Sequence, residues 1–448
     1  MGNSRKSRPL DDVVRSFVRK TFIEGDRVVL GLSGGLDSIV LLHILKEIEL
    51  SAGFFLSCIH VNHKISKNSG KWAKFCEDKC KLLGVPLRIE EVDISPHLDQ
   101  GIEAAARTAR YAAFDRHDAD YVALAQHQDD QAETVLLQLF RGGGLNGLAA
   151  MGELKPFGAK MLARPLLSVP RKAIEAYARE NDFEWIEDES NSDIRYDRNF
   201  VRHGVFPVIE ARFPAFRETV SRSSANIAEA MMLLDDLAEI DAMGAVESGR
   251  LDASRLLELP RVRAKNLLRH YLSSEGMRMP SSGRLDEMLK QLTGKGALVS
   301  ISHDGFEIRL YRGVVHIVRA RPVLPGFRKS WQGESRLDIP ELGGILLFET
   351  AEEGLDPERL GGPVTVRVRE GGERFRVHEK RPSRLLKNLF QESGVPPWMR
   401  NSLPLLYCGE RLVWVAGIGI DPEFRAEAGK NGLIPSWQSQ FSDIHCKA

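Results

Sequence analysis

Along residues 27–140 the hydrophobic period keeps switching between that of a strand and that of a helix, and this switching constrains the chain more than any other feature. Residues 27–32 are a short apolar run that predicts a strand. Residues 37–50 carry Ile39, Leu41, Leu42 and Leu45 at helical spacing. Strands are then expected at 54–61, 87–92 and 121–125, and helices at 70–83, 102–116 and 130–140. Strands alternating with helices predict an α/β domain: a Rossmann-like parallel sheet with helices on both faces. In such sheets ligands bind beyond the carboxyl ends of the strands.

Beyond residue 215 the pattern changes. Residues 216–292 are helical in character, and strand-like text such as residues 314–318 follows. Arg321-Pro322 through Pro325-Gly326 breaks the pattern as a linker would. Alternating residues 364–369 open a compact α+β segment. The expected division is a catalytic domain over 1–215, a mainly helical domain over 216–325, a linker or strand segment over 326–360, and a small α+β domain over 361–448. The 62 Lys+Arg balance the 62 Asp+Glu, so a uniformly basic coat is excluded while a local basic face is not. Five cysteines, odd and sparse, fit reduced thiols in the cytoplasm. No apolar leader and no run of 18 apolar residues is seen, so a membrane location is not expected.

The expected first strand runs into Ser33-Gly34-Gly35-Leu36-Asp37-Ser38, and a helix follows. Two glycines let backbone N–H groups turn inward around an anion, and the helix start adds unpaired donors and a positive dipole end. Ser33 and Ser38 add hydroxyls. Asp37 repels phosphate, so its natural task is to hold Mg²⁺ on a pyrophosphate. With no Lys in the loop, this is not the Gly-x-x-x-x-Gly-Lys-Ser/Thr loop of kinases and GTPases.

Other polar groups gather at the expected strand ends. His60, Asn62 and His63 close the second strand. Arg107 and Arg110 are i, i+3 on a helix. Gln126-His127-Gln128-Asp129-Asp130 follows the fourth strand, and Asp130 and Glu133 are i, i+3. His60, His63, His127 and Asp129 have no metal-site spacing and read as the lining of a nucleotide pocket or as helix-capping groups. Cys76 and Cys80, at i, i+4, read as buried thiols. Segment 364–400 has nine Lys/Arg against four Glu, with Phe390 and Trp398 interleaved. RNA binding and a solvated strand face both account for it.

Ser-Gly-Gly-Leu-Asp-Ser after a first strand resembles the signature of the PP-loop ATP pyrophosphatases, which cleave ATP to AMP and pyrophosphate and adenylate a carbonyl-type oxygen. Together with His60–His63, residues 103–111, 125–134 and 188–202, Arg369-Glu370-Gly371-Gly372-Glu373-Arg374 and residues 385–398, it is similar to the tRNA(Ile)-lysidine synthetases. One departure is Lys64 after His63, where the family usually has Gly. The resemblance implies ATP as cosubstrate, Mg²⁺ on Asp37, and free L-lysine and a CAU-anticodon isoleucine tRNA as partners. It implies nucleotide contacts from Ser33, Gly34, Gly35, Leu36, Asp37, Ser38, His60, Asn62, His63, His127 and Asp129, and chemistry from Asp37, Arg107, Arg110, Asp130 and Glu133. It implies tRNA contacts from Arg195, Arg198, Asn199, Arg202, Arg369, Arg374, Arg384, Lys387 and Trp398. A homodimer is left open. The sequence alone keeps two rivals, a PP-loop tRNA thiolase and a non-catalytic ATP-binding RNA-recognition protein. Neither a Cys-x-x-Cys pair nor a glutaminase-like cysteine motif is present, which favours an external amine as nucleophile.

Overall fold

Val28, Val29 and Leu30 are all fully buried, because the strand they form is covered on both faces. A computed structural model of the chain describes residues 10–247, 249–294, 299–319, 325–427, 429–439 and 445–446. The break expected at Arg321-Pro322 lies outside the described residues. The chain divides into two units, Met1–Asp241 and Ala242–Ala448.

In the first unit β1 (Arg27–Gly31) lies between β2 (Phe55–Asn62) and β4 (Tyr121–Ala123), parallel to both. β3 (Leu87–Glu91) continues the parallel sheet beside β2, and β6 (Lys160–Ala163) beside β4. β5 (Leu154–Phe157) closes that edge as the antiparallel arm of a hairpin. The strand order β3-β2-β1-β4-β6-β5 changes direction at β1, so the crevice of this sheet opens beyond the ends of β1 and β4.

Side chains alternate between the faces with the strand period. Val28 and Leu30 join one core with residues of α1 (Leu10–Thr21), α2 (Leu36–Ala52), α3 (Ser69–Leu83) and α7 (Arg171–Glu180). Val29 joins the other with Ala113 and Phe114 of α4 (Ile102–Arg116). The helix α1 is a difference from expectation: its polar text hides one apolar stripe, Leu10, Val14, Phe17 and Val18, all buried. α5 (Gln128–Phe140) follows β4, and α6 (Leu145–Leu148) is a single turn. After α8 (Asp197–Phe200) a π-helical turn, Val201–Val205, leads into α9 (Phe206–Arg212) and the 27-residue α10 (Phe216–Ala242). Ala132 of α5 packs with Val201, Phe206 and Phe216 in a small core of its own.

The second unit begins with a five-stranded sheet. Its strands β7 (Val246–Glu247), β8 (Arg250–Asp252), β9 (Val299–His303), β10 (Phe306–Tyr311) and β11 (Val314–Arg319) are antiparallel. α11 (Ala253–Glu258), α12 (Arg261–Ser274) and α13 (Ser282–Leu292) cover it through Leu256, Leu267, Leu268 and Met288. The helices expected over 216–292 are present. The strand stretch at 314–318 is β11, and the sheet around it is the addition.

In the segment expected over 326–360 as linker or strand, the structure has strands, and they are core. β12 (Arg328–Trp331), β13 (Arg336–Ile339) and β14 (Gly344–Ala351) bring Trp331, Ile339 and Leu346 into the last core. β12 pairs with β15 (Val364–Arg367), the strand expected to open this segment. β15 continues through β18 (Leu405–Cys408), β19 (Arg411–Val415) and β20 (Gly419–Ile420). β14 pairs with β21 (Gly432–Ser439), and β22 (His445–Cys446) follows it. A two-stranded ribbon, β16 (Arg374–Phe375) with β17 (Arg384–Leu385), leads into α14 (Leu386–Glu392).

Gly344 marks the tightest point of this sheet pair. A Cβ there would stand 2.4 Å from Trp437 Cζ2 and 2.5 Å from the Gln438 carbonyl oxygen. Gly344→Ala is expected to destabilise the protein by about 1–3 kcal/mol through overpacking, read as a lower denaturant midpoint.

Candidate active site

The ends of β1 and β4 meet through one contact. His127, which follows β4, is 2% exposed, and its Nε2 lies 3.6 Å from Asp37 Oδ2 in the first turn of α2. The turn between β1 and α2 needs its glycine. Gly34 has φ +84°, and a Cβ would stand 2.8 Å from Ile186 Cδ1 and 3.1 Å from Cys76 Sγ. The Ile186 N–H donates to the Gly34 carbonyl at 2.9 Å, tying the loop to a segment that sequence patterning did not single out. Ser33 Oγ accepts from the Gly35 N–H at 3.2 Å and lies 3.0 Å from Ser38 Oγ. No side chain caps α2, so its first N–H groups stay open to an anion. Asp37 Oδ1 is buried with no hydrogen-bond partner, an unsatisfied acceptor of the kind a cation completes.

At the start of α5, His127 and Asp130 form a reciprocal cap. The His127 N–H donates to Asp130 Oδ2 at 2.9 Å, and the Asp130 N–H donates to His127 Nδ1 at 3.4 Å. With Nδ1 accepting, the neutral imidazole carries its proton on Nε2, facing Asp37. Burial pulls the His127 pKa down, but Asp130, Asp37 and Asp129 outweigh it and the pKa is raised.

Asp130 and Glu133 both face arginines. Asp130 Oδ1 is 2.6 Å from Arg198 Nη2. Glu133, fully buried, is 2.6 Å from Arg198 Nε and 2.7 Å from Arg202 Nε. Burial opposes charge on Asp130, but His127 and Arg198 hold its pKa below the ordinary value. Removing one partner of such a buried pair typically costs about 3–5 kcal/mol, against under about 1 kcal/mol for an exposed pair. The cluster is therefore structural as well as polar. Arg198 and Arg202 point inward to these carboxylates, and Asn199 is buried with its Nδ2 on the Asp193 carbonyl at 2.9 Å. Of this group Arg195 alone is highly exposed, paired with Asp193 at 2.6 Å.

Asp129 is also engaged. Its Oδ1 accepts from the Arg171 N–H, the first of α7, at 3.0 Å, and its Oδ2 lies 2.6 Å from Arg217 Nε. Neither Arg171 nor Arg217 is visible as a partner in sequence, since nothing local relates residues 42 and 88 positions away from Asp129. The β2 end is packed rather than open. His60 Nδ1 donates to the Leu32 carbonyl at 2.9 Å, and Asn62 Oδ1 accepts from the Lys64 N–H at 2.9 Å. Lys64 has φ +55°, the left-handed conformation that favours the family's Gly. Arg107 lies over the Tyr111 ring at 4.7 Å. Arg110 keeps some exposed surface, while crowding of its head by protein and the nearby Arg107 and Arg198 charges lower its pKa.

Cys58, Cys76 and Cys80 are free and buried beneath this site, and burial pushes the Cys76 thiol up to about 12. Among the described residues no three His, Cys, Asp or Glu come together as a metal-ion ligand set. Arg369, Arg374, Arg384, Lys387 and Trp398 all lie in the second unit. Arg374, Arg384 and Lys387 are exposed, and Arg369 pairs with Glu373 at 3.3 Å. Trp398 is half-buried against Arg309, Tyr311 and His316.

Comparison with known proteins fits this arrangement. Residues 7–209 match a PP-loop domain, 251–316 a TilS substrate binding domain, and 364–437 a TilS substrate C-terminal domain. A tRNA(Ile)-lysidine synthase of Nitrosomonas europaea is 44% identical over 461 residues, covering 99% of each chain. One of Azoarcus sp. is 39% identical, covering 92% of this chain and 91% of its own. The chain belongs to the tRNA(Ile)-lysidine synthase family. It is accordingly an ATP-dependent tRNA-modifying enzyme with a PP-loop domain.

Within this lysidine synthase fold His63 supplies a pH signature. Its Nδ1 is buried without a partner, and burial, with Arg110 and His60 nearby, pushes its pKa down to about 4 from 6.5. The unfolded chain therefore takes up this proton first. The contribution is intact above pH 6.5 and is lost as pH falls through 6.5 toward 4. Denaturation at stepped pH should show stability declining over that window, with a shallower decline in His63→Gln.

Proposed function

We propose that the enzyme adenylates the C2 oxygen of the cytidine at the first anticodon position of an isoleucine tRNA with anticodon CAU. The ε-amine of free L-lysine then replaces the AMP, giving lysidine. The observation that carries this reading is the meeting of a phosphate loop and cation-holding carboxylates at one switch point, bridged by His127 and Asp37.

In the first step the C2 oxygen attacks the α-phosphorus and pyrophosphate leaves. The N–H groups of Gly34 and Leu36, the Ser33 and Ser38 hydroxyls and the α2 dipole serve the charge that builds on the leaving group. Asp37 suits Mg²⁺, because its buried Oδ1 has no other partner, and the ion would offset the pyrophosphate charge. His127, whose Nε2 faces Asp37 Oδ2 at 3.6 Å, is the charge neighbour of that carboxylate. His60, Asn62 and His63 shape the nucleotide pocket from within the packed end of β2, with Arg107 and Arg110 as cations for the phosphates.

In the second step the neutral lysine nitrogen bonds to C2, the C2–O bond breaks, AMP carries the oxygen away, and the surplus proton on nitrogen passes to solvent. Attachment of AMP is what turns a poor leaving group into a good one. Asp130 acts as the counter-ion for lysine beside Arg198, and Glu133, buried with one oxygen on Arg198 and the other on Arg202, holds those arginines in place. A carboxyl kept ionised, as Asp130 is, suits a counter-ion better than a base. Arg195 in the first unit and Arg369, Arg374, Arg384 and Lys387 in the second supply tRNA contacts, and Trp398 supports the frame beneath them. The enzyme works in the cytoplasm on this reading, and no described helix is long and apolar enough to cross a membrane.

Incubation with ATP, Mg²⁺, labelled lysine and a CAU-anticodon isoleucine tRNA should give lysine-dependent AMP release and a nucleoside heavier by one lysyl residue. Replacing the first anticodon base by G, A or U should abolish it. Asp37→Ala should lower turnover by on the order of a hundred-fold or more with the fold retained. A thiolated base, or AMP release indifferent to lysine, would overturn the proposal.

A further inference from the structure

Arg217 is the second residue of α10, and three kinds of contact converge on it. Its Nε lies 2.6 Å from Asp129 Oδ2, and its Nη1 lies 3.0 Å from Glu210 Oε2. The Nε–H does not aim squarely at the Asp129 oxygen, so that contact is a charge pair rather than a linear hydrogen bond. The guanidinium sits 4.9 Å from the Phe206 ring and 4.6 Å from the Phe216 ring, two buried aromatics packed edge to face. Glu210 is held from its other oxygen by Lys172 at 2.9 Å.

These contacts fix the start of α5 from outside. Asp129 spends its other oxygen on the first N–H of α7. Its carboxylate therefore ties three helix starts, α5, α7 and α10, into one node. The next residue along α5 is Asp130, and one turn on is Glu133. The apolar packing of Ala132 against Phe206 and Phe216 lies along the same contact. The far end of α10 is the border between the two units.

We propose that Arg217 is a positioning residue for lysine transfer. Through Asp129 it sets the angle of the α5 start, and so the placement of Asp130 and Glu133, and it joins that placement to the helix that leads into the second unit. Asp129 is on this account an anchor and not a nucleotide ligand. The inference rests on the assignment made above of Asp130, backed by Glu133 and its arginines, to the lysine cation. A shift of about 1 Å in such groups is enough to cost on the order of a hundred-fold in rate.

The test uses the full chain with tRNA, ATP, Mg²⁺ and lysine. Arg217→Gln should raise the KM for lysine or lower kcat, so that kcat/KM for lysine falls by on the order of ten-fold or more, while the KM for ATP stays within about two-fold. Arg217→Lys, which keeps the charge, should recover most of the loss. Asp129→Asn should give a similar defect, and the double variant should be no worse than the poorer single one. Equal losses toward ATP and lysine, or a fall in Tm with unchanged kinetics, would mean a purely structural role and overturn the proposal. So would additive effects of the two substitutions. Wild-type enzyme is the control that separates the two claims. If its AMP release ignores lysine, the functional reading fails. If it depends on lysine and Arg217→Gln matches it, the positioning role alone fails.

Discussion

Both faces of the parallel sheet in the first unit must be buried, and this places everything else in the site. Val28, Leu30 and Val29 leave β1 no solvent-facing side, so chemistry is confined to the strand ends. The order reversal at β1 then opens the crevice at the ends of β1 and β4. α2, which leaves that crevice, is apolar nearly all round and buried over most of its length. A helix so fixed presents its first N–H groups in a constant direction, and its dipole needs no charged side chain to attract an anion. A loop without lysine can hold phosphate under these conditions. It also leaves room for Asp37, a residue that would repel phosphate unless a cation lay between them.

The second constraint is electrostatic. Glu133 has no exposure, and a carboxylate taken from water costs several kcal/mol unless partners replace the lost hydration. Arg198 and Arg202 are those partners, supplied by a short helix and a π-helical turn 65 and 69 positions along the chain. Such turns are often found at functional sites, and here the turn carries Arg202. Asp129 repeats the pattern with Arg217. The acidic start of α5 is thus matched by arginines from residues 198–217, and the site's shape depends on that segment as much as on the phosphate loop.

Local signals account for what the sequence showed. The alternation of periods gave the parallel sheet, and the helix and strand bounds fall within a few residues of expectation from 27 to 140. The phosphate loop was legible because a tight turn and a helix start write a short contiguous motif. Three features were not legible. α1 was masked because its stripe of four apolar residues is diluted by Asp11, Asp12, Arg15, Arg19 and Lys20 in any average. For β12 to β14 linker and strand were not told apart, because short strands paired with residues far along the chain leave little local period. The arginines facing Asp129, Asp130 and Glu133 were out of reach because charge compensation is a tertiary event. Residues 188–202 resemble the family as text, but text does not say which way an arginine points.

Trp398 shows the same limit in the second unit. Among basic residues in sequence it reads as a platform for an unstacked base. In the structure Arg309 lies 5.1 Å from its ring, Tyr311 meets it edge-on at 6.0 Å, and His316 lies at 5.3 Å. These three come from β10 and β11, so the tryptophan joins the sheet of one core to the loop of the other. Arg312 extends the join, donating from Nη2 to the Gln391 carbonyl at 2.6 Å. Burial pushes the His316 pKa down to about 4, so the imidazole is neutral near pH 7 and leaves Arg309 as the cation on the ring. An indole held this way sets the spacing between the two cores. Lys387 and Arg384 are exposed instead, with Arg384 paired to Glu392. A half-buried aromatic and an exposed cation in one stretch of sequence thus do different work, the first fixing the frame and the second lying on the surface where the tRNA contacts proposed above would be made.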